Sequence, residues 1–210
     1  MKKSLMSFLT FLFLSVAASN AHAIVLDIGG SAVPTGALSP GGTPLTSITV
    51  PFVGMFGEIE GSVTQNVLQN STGILFEYFI NSTGNGSITQ ATASFYQSYT
   101  TDVDGPISPY TPNVDLVTRG ADGSTVTWSY IDDAILQGGA SSTLWVQTNA
   151  PSFAAGGFSL IGADTATFDV FGPTGSPSVV NAVPEPTTLG LLSIGLVGLV
   201  SRKFGKKITV

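Results

Sequence analysis

The body of this chain reads as all-β, an antiparallel β-sandwich of jelly-roll type, on three observations. Short runs rich in Val, Ile, Thr, Phe and Tyr recur along residues 24–171, and turn-forming residues separate them. No stretch there keeps a 3.6-residue apolar period for three turns; residues 132–136 offer at most a single helical turn. Many short strands with regular turns fold as a sandwich or barrel.

Taken in order, residues 1–23 form a signal peptide. Lys2 and Lys3 precede an apolar run over residues 5–16, and Ala21 and Ala23 put small residues where a signal peptidase needs them, so cleavage is expected after Ala23. Residues 29–44, rich in Gly, Pro and Ser, read as a flexible lead-in. The strands follow. Residues 45–53 are β-branched and apolar, 62–69 alternate Val63 and Val67 with polar neighbours, and 73–80 place Ile74, Phe76, Tyr78 and Ile80 on one face. Residues 87–99, 114–118, 142–148, 157–161 and 165–171 read the same way. In residues 125–131 the alternation is cleanest, with Val126, Trp128 and Tyr130 facing one side and Thr125, Thr127 and Ser129 the other. Turn chemistry at 81–86, 104–106, 122–123 and 138–139 supplies the reversals. Aromatic density in the β-patterned runs drives burial and separates this body from a disordered Ser/Thr-rich linker. Residues 172–182, again Gly/Pro/Ser-rich, read as a flexible tether.

Six of the seven basic residues lie in the two end segments, so residues 24–183 hold one base, Arg119, against twelve acids, a net charge of −11. Such a body repels phosphate backbones and anionic lipid, and nucleic-acid binding is excluded. There is no cysteine, so stability must come from a core; about 160 residues suffice for one domain.

The tail has three parts. Val183, Pro184, Glu185, Pro186 and Thr187 make a stiff turn, residues 189–200 are uncharged, and Arg202, Lys203, Lys206 and Lys207 follow. From Leu189 to Val200 a helix would span only roughly 18 Å of a ~30 Å hydrocarbon core. It could still insert as a short membrane helix, with the basic cluster cytoplasmic and the Pro-Glu-Pro turn outside. The residues alone also fit a plain tail anchor whose prolines stop a helix. Over residues 183–207 the segment resembles the PEP-CTERM sorting signal of Gram-negative bacteria that make extracellular polysaccharide. That resemblance implies an exosortase, a membrane-embedded cysteine protease-like enzyme, as partner, with Pro184, Glu185 and Pro186 as its recognition site. The body also resembles, more loosely, one group of PEP-CTERM proteins, through a Gly61-Ser62-Val63-Thr64 strand, the aromatic residues 75–79 and the segment 136–150. No activity follows from that likeness.

The chemical inventory of the body is sparse. His22, the one histidine, leaves with the signal peptide, so Ser-His-Asp, Cys-His and zinc hydrolase mechanisms lack their residues. A carboxylate-only glycosidase would draw on Glu58, Glu60 or Glu77, which otherwise read as solvated strand residues. Asp102, Asp104, Asp132 and Asp133 offer hard oxygens for a calcium ion, without a full EF-hand pattern. Trp128, Trp145 or Tyr99 could present a flat ring to a sugar. Asn70, Asn81 and Asn85 match the glycosylation acceptor pattern.

The expectation is therefore an exported protein that catalyses nothing and needs no cofactor. It would pass through signal peptidase, an inner-membrane intermediate and an exosortase to the cell surface or extracellular matrix. There it would have a structural or adhesive role linked to exopolysaccharide and biofilm. The alternatives are a carbohydrate- or calcium-binding lectin-like module and a secreted glycosidase.

Overall fold

The computed structural model describes residues 24–36, 38–105 and 111–176, all in the first of two units, Met1–Ser178, the second being Val179–Val210. The signal peptide, most of the tether, the Pro-Glu-Pro turn, the apolar run and the basic cluster lie outside the described residues.

Twelve strands and no helix make up the described part: β1 (Ile24–Val25), β2 (Ser31–Ala32), β3 (Thr43–Val53), β4 (Glu60–Gln69), β5 (Ile74–Ser82), β6 (Ile88–Ser94), β7 (Thr101–Asp104), β8 (Leu116–Arg119), β9 (Thr125–Ser129), β10 (Leu144–Thr148), β11 (Ser152–Gly162) and β12 (Thr165–Thr174). They form two six-stranded antiparallel sheets, one in the order β1-β7-β10-β5-β4-β3 and the other β12-β11-β6-β9-β8-β2. Three strand pairs nest inside one another as in a jelly roll: β8 with β9, β7 with β10, and β6 with β11. The next pair outward would join β5 to β12, but β5 pairs with β4 and β10, while β12 pairs with β11. The result is a β-sandwich.

Each expected run contains a strand, with differences at the ends. Residues 87–99 were expected as one strand, yet β6 stops at Ser94, because Phe95 and Ser98 take positive φ values of 76° and 72°. β11 begins at Ser152 rather than 157; its first residues lack the β-branched signature and gain their pairing from β12. β12 runs to Thr174, three residues into the expected tether. Residues 132–136 form no helix, and Ile135 instead bridges to Ile88. The lead-in 29–44 is fastened: β2 pairs with β8, Thr35 and Gly36 donate N–H groups to Asp104, and Asn70 Nδ2 donates to the Gly41 carbonyl. A Gly/Pro-rich composition fixes no periodicity, so these long-range anchors leave no mark on the local sequence.

The core is the inward face of both sheets. Ile74, Phe76, Tyr78 and Ile80 of β5 are buried as their alternation requires, as are Val126, Trp128 and Tyr130 at β9. Burying each large apolar side chain contributes about 1.5–3 kcal/mol, the main stabilising resource of a chain without disulfides. Tyr78 is the hub. Its ring stacks on Phe158 at 4.8 Å and tilts against Trp128 at 5.8 Å, and its hydroxyl pairs with that of Tyr96 at 2.8 Å. Burial pushes the pKa of both hydroxyls up, so both stay neutral and either can donate its O–H to the other. A second polar link crosses between the sheets: Gln65 of β4 donates Nε2–H to the Phe171 carbonyl (2.7 Å) and accepts its N–H (2.8 Å). That amide satisfies the outer edge of β12 as a neighbouring strand would.

Candidate functional site

The outer face of the first sheet is arranged in rows set by register. Ser47, Asn66, Glu77, Trp145 and Asp104 form one row, and Leu68, Leu75, Gln147, Asp102 and Val25 the next. The β7–β10 side of this face is closed. Asp104, fully buried, accepts N–H groups from Thr35 (3.1 Å), Gly36 (3.3 Å) and Gly105 (2.7 Å) and the Thr35 hydroxyl (2.5 Å). Trp145 beside it is also fully buried, packed with Leu75 and Leu68. The β3–β5 side is open and polar. There Ser47 Oγ donates to Asn66 (2.8 Å), Asn66 Nδ2 donates to Glu77 (3.4 Å), and the Thr49 and Thr64 hydroxyls pair at 2.9 Å. Two shallow grooves of about 400 and 310 Å³ run along it.

The four aspartates considered for calcium do not converge. Asp102 and Asp104 share the outward side of β7, whereas Asp132 and Asp133 lie exposed in the turn after β9. Burial raises the pKa of Asp102. Among the described residues no group of three or more His, Cys, Asp or Glu side chains could hold a metal ion. Asp104 in particular is already surrounded by donors of its own chain.

Two further charged groups, of which sequence named Arg119 only as the lone base of the body and gave Asp164 no role, organise the loops. Arg119, the one base of the body, is buried. It donates Nη1–H to the Leu26 carbonyl (3.1 Å), Nη2–H to Tyr96 (3.1 Å) and Tyr99 (2.6 Å), and Nε–H to Gly123 (3.4 Å). Burial lowers its pKa, an effect that the nearby Asp27 partly offsets. Asp164, between β11 and β12, is its counterpart. Its carboxylate accepts the N–H of Phe56 (2.7 Å) and of Thr165 (2.7 Å). Burial alone would raise its pKa, but backbone N–H groups of Thr165, Phe56, Glu58 and Gly57 outweigh that and hold it below the usual carboxylate range. Gly54 is required beneath it, since a Cβ there would meet Asp164 Oδ2 at 2.3 Å. The turn so held presents Met55 and Phe56 to solvent, Phe56 at 81% exposure.

The remaining candidates separate cleanly. Trp128 and Trp145 are fully buried and offer no face to a sugar; Trp128 alternates with Thr127 and Ser129 as an inward residue does, whereas Trp145 stands between Leu144 and Val146 in a strand buried throughout. Tyr99 is half-buried, with its hydroxyl donated to the Gly175 carbonyl at 2.6 Å. Glu77 sits opposite Asn66, six residues along β4 from Glu60. At about 3.4 Å per residue the two carboxylates are roughly 20 Å apart, beyond the ~5–9.5 Å of a glycosidase pair. Glu58 and Glu60 are exposed. Asn70 shapes its own turn, accepting the N–H of Thr72 at 2.9 Å, whereas Asn81 and Asn85 are exposed.

The observation that bears most directly on function lies in the tail. The sequence model of the PEP-CTERM protein-sorting motif matches residues 182–206. The chain carries a PEP-CTERM sorting motif. The PEP-CTERM segment thus includes Pro184, Glu185 and Pro186, the apolar run from Leu189 to Val200, and the bases Arg202, Lys203 and Lys206, while Lys207 follows it directly. A PEP-CTERM motif implies export by way of the membrane to the cell surface, with an exosortase as processing partner. Among the described residues no helix is long and apolar enough to cross a membrane. No curated protein and no solved structure matches the chain.

Proposed function

We propose that this is a non-catalytic surface or matrix protein whose β-sandwich is the cargo of its own sorting motif. After signal peptidase removes residues 1–23, the chain is held in the inner membrane by its tail until the exosortase acts at Pro184-Glu185-Pro186. The sandwich then serves a structural or adhesive role in a polysaccharide-containing matrix or biofilm. The match at residues 182–206 carries the reading. Two features of the body support it. Its acids outnumber its bases twelve to one, which disfavours nucleic acid and anionic membrane as partners. Its one base is spent inside the fold on backbone carbonyls.

The test is a chain in which Pro184, Glu185 and Pro186 are replaced by alanine, produced in a bacterium that has an exosortase. The variant should remain membrane-associated at its signal-peptidase-processed length, while the wild-type chain loses its tail and leaves the membrane. Identical masses and fractionation for both would overturn the reading.

A further inference from the structure

The loop between β6 and β7 holds the most unusual backbone of the fold. Phe95 and Ser98 both lie in the left-handed region, at φ 76° and 72°, and they are the two non-glycine residues that do so among the described residues. A bulky residue there costs free energy, and such conformations persist where the surroundings over-determine them. Here the surroundings are identifiable. Arg119 grips the carbonyls of Tyr96 and Tyr99 on the two sides of Ser98, and the Tyr99 hydroxyl is tied to the Gly175 carbonyl. The strain is not offset by burying the Phe95 side chain, which is 55% exposed. Its ring lies beside Gly157 and its Cβ beside Gly172, where added methyl groups would touch it at 3.5 and 3.6 Å. The loop therefore holds an aromatic ring over a glycine floor with its outer side facing water. Next to it, Phe95, Gln97, Ser98, Tyr99 and Pro173 line a groove of about 380 Å³, and every residue lining that groove is uncharged.

We propose that this groove binds a neutral polysaccharide, with the Phe95 ring as the platform for the apolar face of one sugar and Gln97 and Ser98 as partners for its hydroxyls. The inference deepens the adhesive reading above and rests on it. An uncharged lining in a body of net charge −11 selects an uncharged polymer over an acidic one. A groove of this size, with aromatic walls and a few polar groups, suits a small rigid ring. Fixing the loop beforehand lowers the ordering cost of binding, which accounts for strain held in place by the buried Arg119.

The experiment is native electrophoresis of the full chain, recovered from exporting cells, through gels containing hydroxyethyl cellulose, dextran, galactomannan or soluble starch, with alginate as the acidic control. At least one neutral polymer should retard the wild-type chain and alginate should not. Phe95→Gly removes the ring while suiting the left-handed backbone, so it should weaken binding about tenfold with an unchanged or higher melting temperature. Gln97→Ala should weaken binding less. Retardation by no neutral polymer, retardation by alginate alone, or full binding by both variants would overturn the proposal. So would capture of a proline-rich peptide through Phe95 in place of any glycan. Retention of the same chains in matrix is measured in parallel. Retention without glycan retardation sinks this site and leaves the surface role standing; glycan retardation without retention sinks that role alone.

Discussion

The regions around Arg119 and Asp164 solve the same problem with opposite charges. At one, a guanidinium gathers the carbonyls of Leu26, Tyr96, Tyr99 and Gly123, drawing together the N-terminal segment, the β6–β7 loop and the β8–β9 turn. At the other, a carboxylate gathers amides from the β3–β4 turn and from Thr165. In both, a buried charge is matched to backbone dipoles, and segments distant in sequence are joined where a small exported domain could have used disulfides. The difference lies in what each region displays. The Arg119 region holds a strained loop at Phe95 and Ser98, whereas the Asp164 region holds a tight turn with Met55 and Phe56 at its tip.

Replacing the organising charge breaks the comparison most severely on the cationic side. Arg119→Met takes the guanidinium from four carbonyls, of which Leu26 keeps the Thr101 hydroxyl and Tyr96 the Tyr99 N–H, and should lower unfolding free energy by about 4 kcal/mol, read from the urea midpoint at constant slope. Arg119→Lys should recover less than half of that, because one ammonium cannot reproduce the planar fork. On the anionic side, Gly54→Ala forces a methyl into the carboxylate and should cost about 1–3 kcal/mol by the same measurement.

Acid titration sharpens the contrast further. The folded pKa of Asp164 lies below its unfolded value, so its contribution is present above about pH 4 and is lost as pH falls through the folded pKa. Asp164→Asn should therefore flatten the acid limb of a stability–pH curve. Asp102 has the opposite sign. Its raised folded pKa gives a contribution present below the unfolded value and lost as pH rises through the folded one. Asp102→Asn should consequently raise the melting temperature at pH 7 slightly, the smallest of these effects.

Much of the sandwich was legible because alternation writes itself into single strands. Ile74, Phe76, Tyr78 and Ile80 announce their face without reference to any other part of the chain. The short strands β1, β2 and β7 were not legible, since two to four residues carry no period and depend on partners far away. The same distance hid Arg119 and Asp164. A lone base reads as surface, and nothing near Asp164 in sequence names the amides of residues 56–58 that hold it. Trp128 and Trp145 read first as core residues, with a sugar platform as the lesser reading, and register puts one in the core and the other under a closed corner of the outer face. The sorting motif could be read directly because a membrane enzyme must recognise it as linear sequence.

The side chain of Gln65 has one further effect. By occupying the carbonyl and amide of Phe171, it leaves that part of β12 with nothing to offer a strand from a neighbouring molecule. For an exported chain this works against templated fibre growth along that margin, so that copies meeting one another each keep their own sheets.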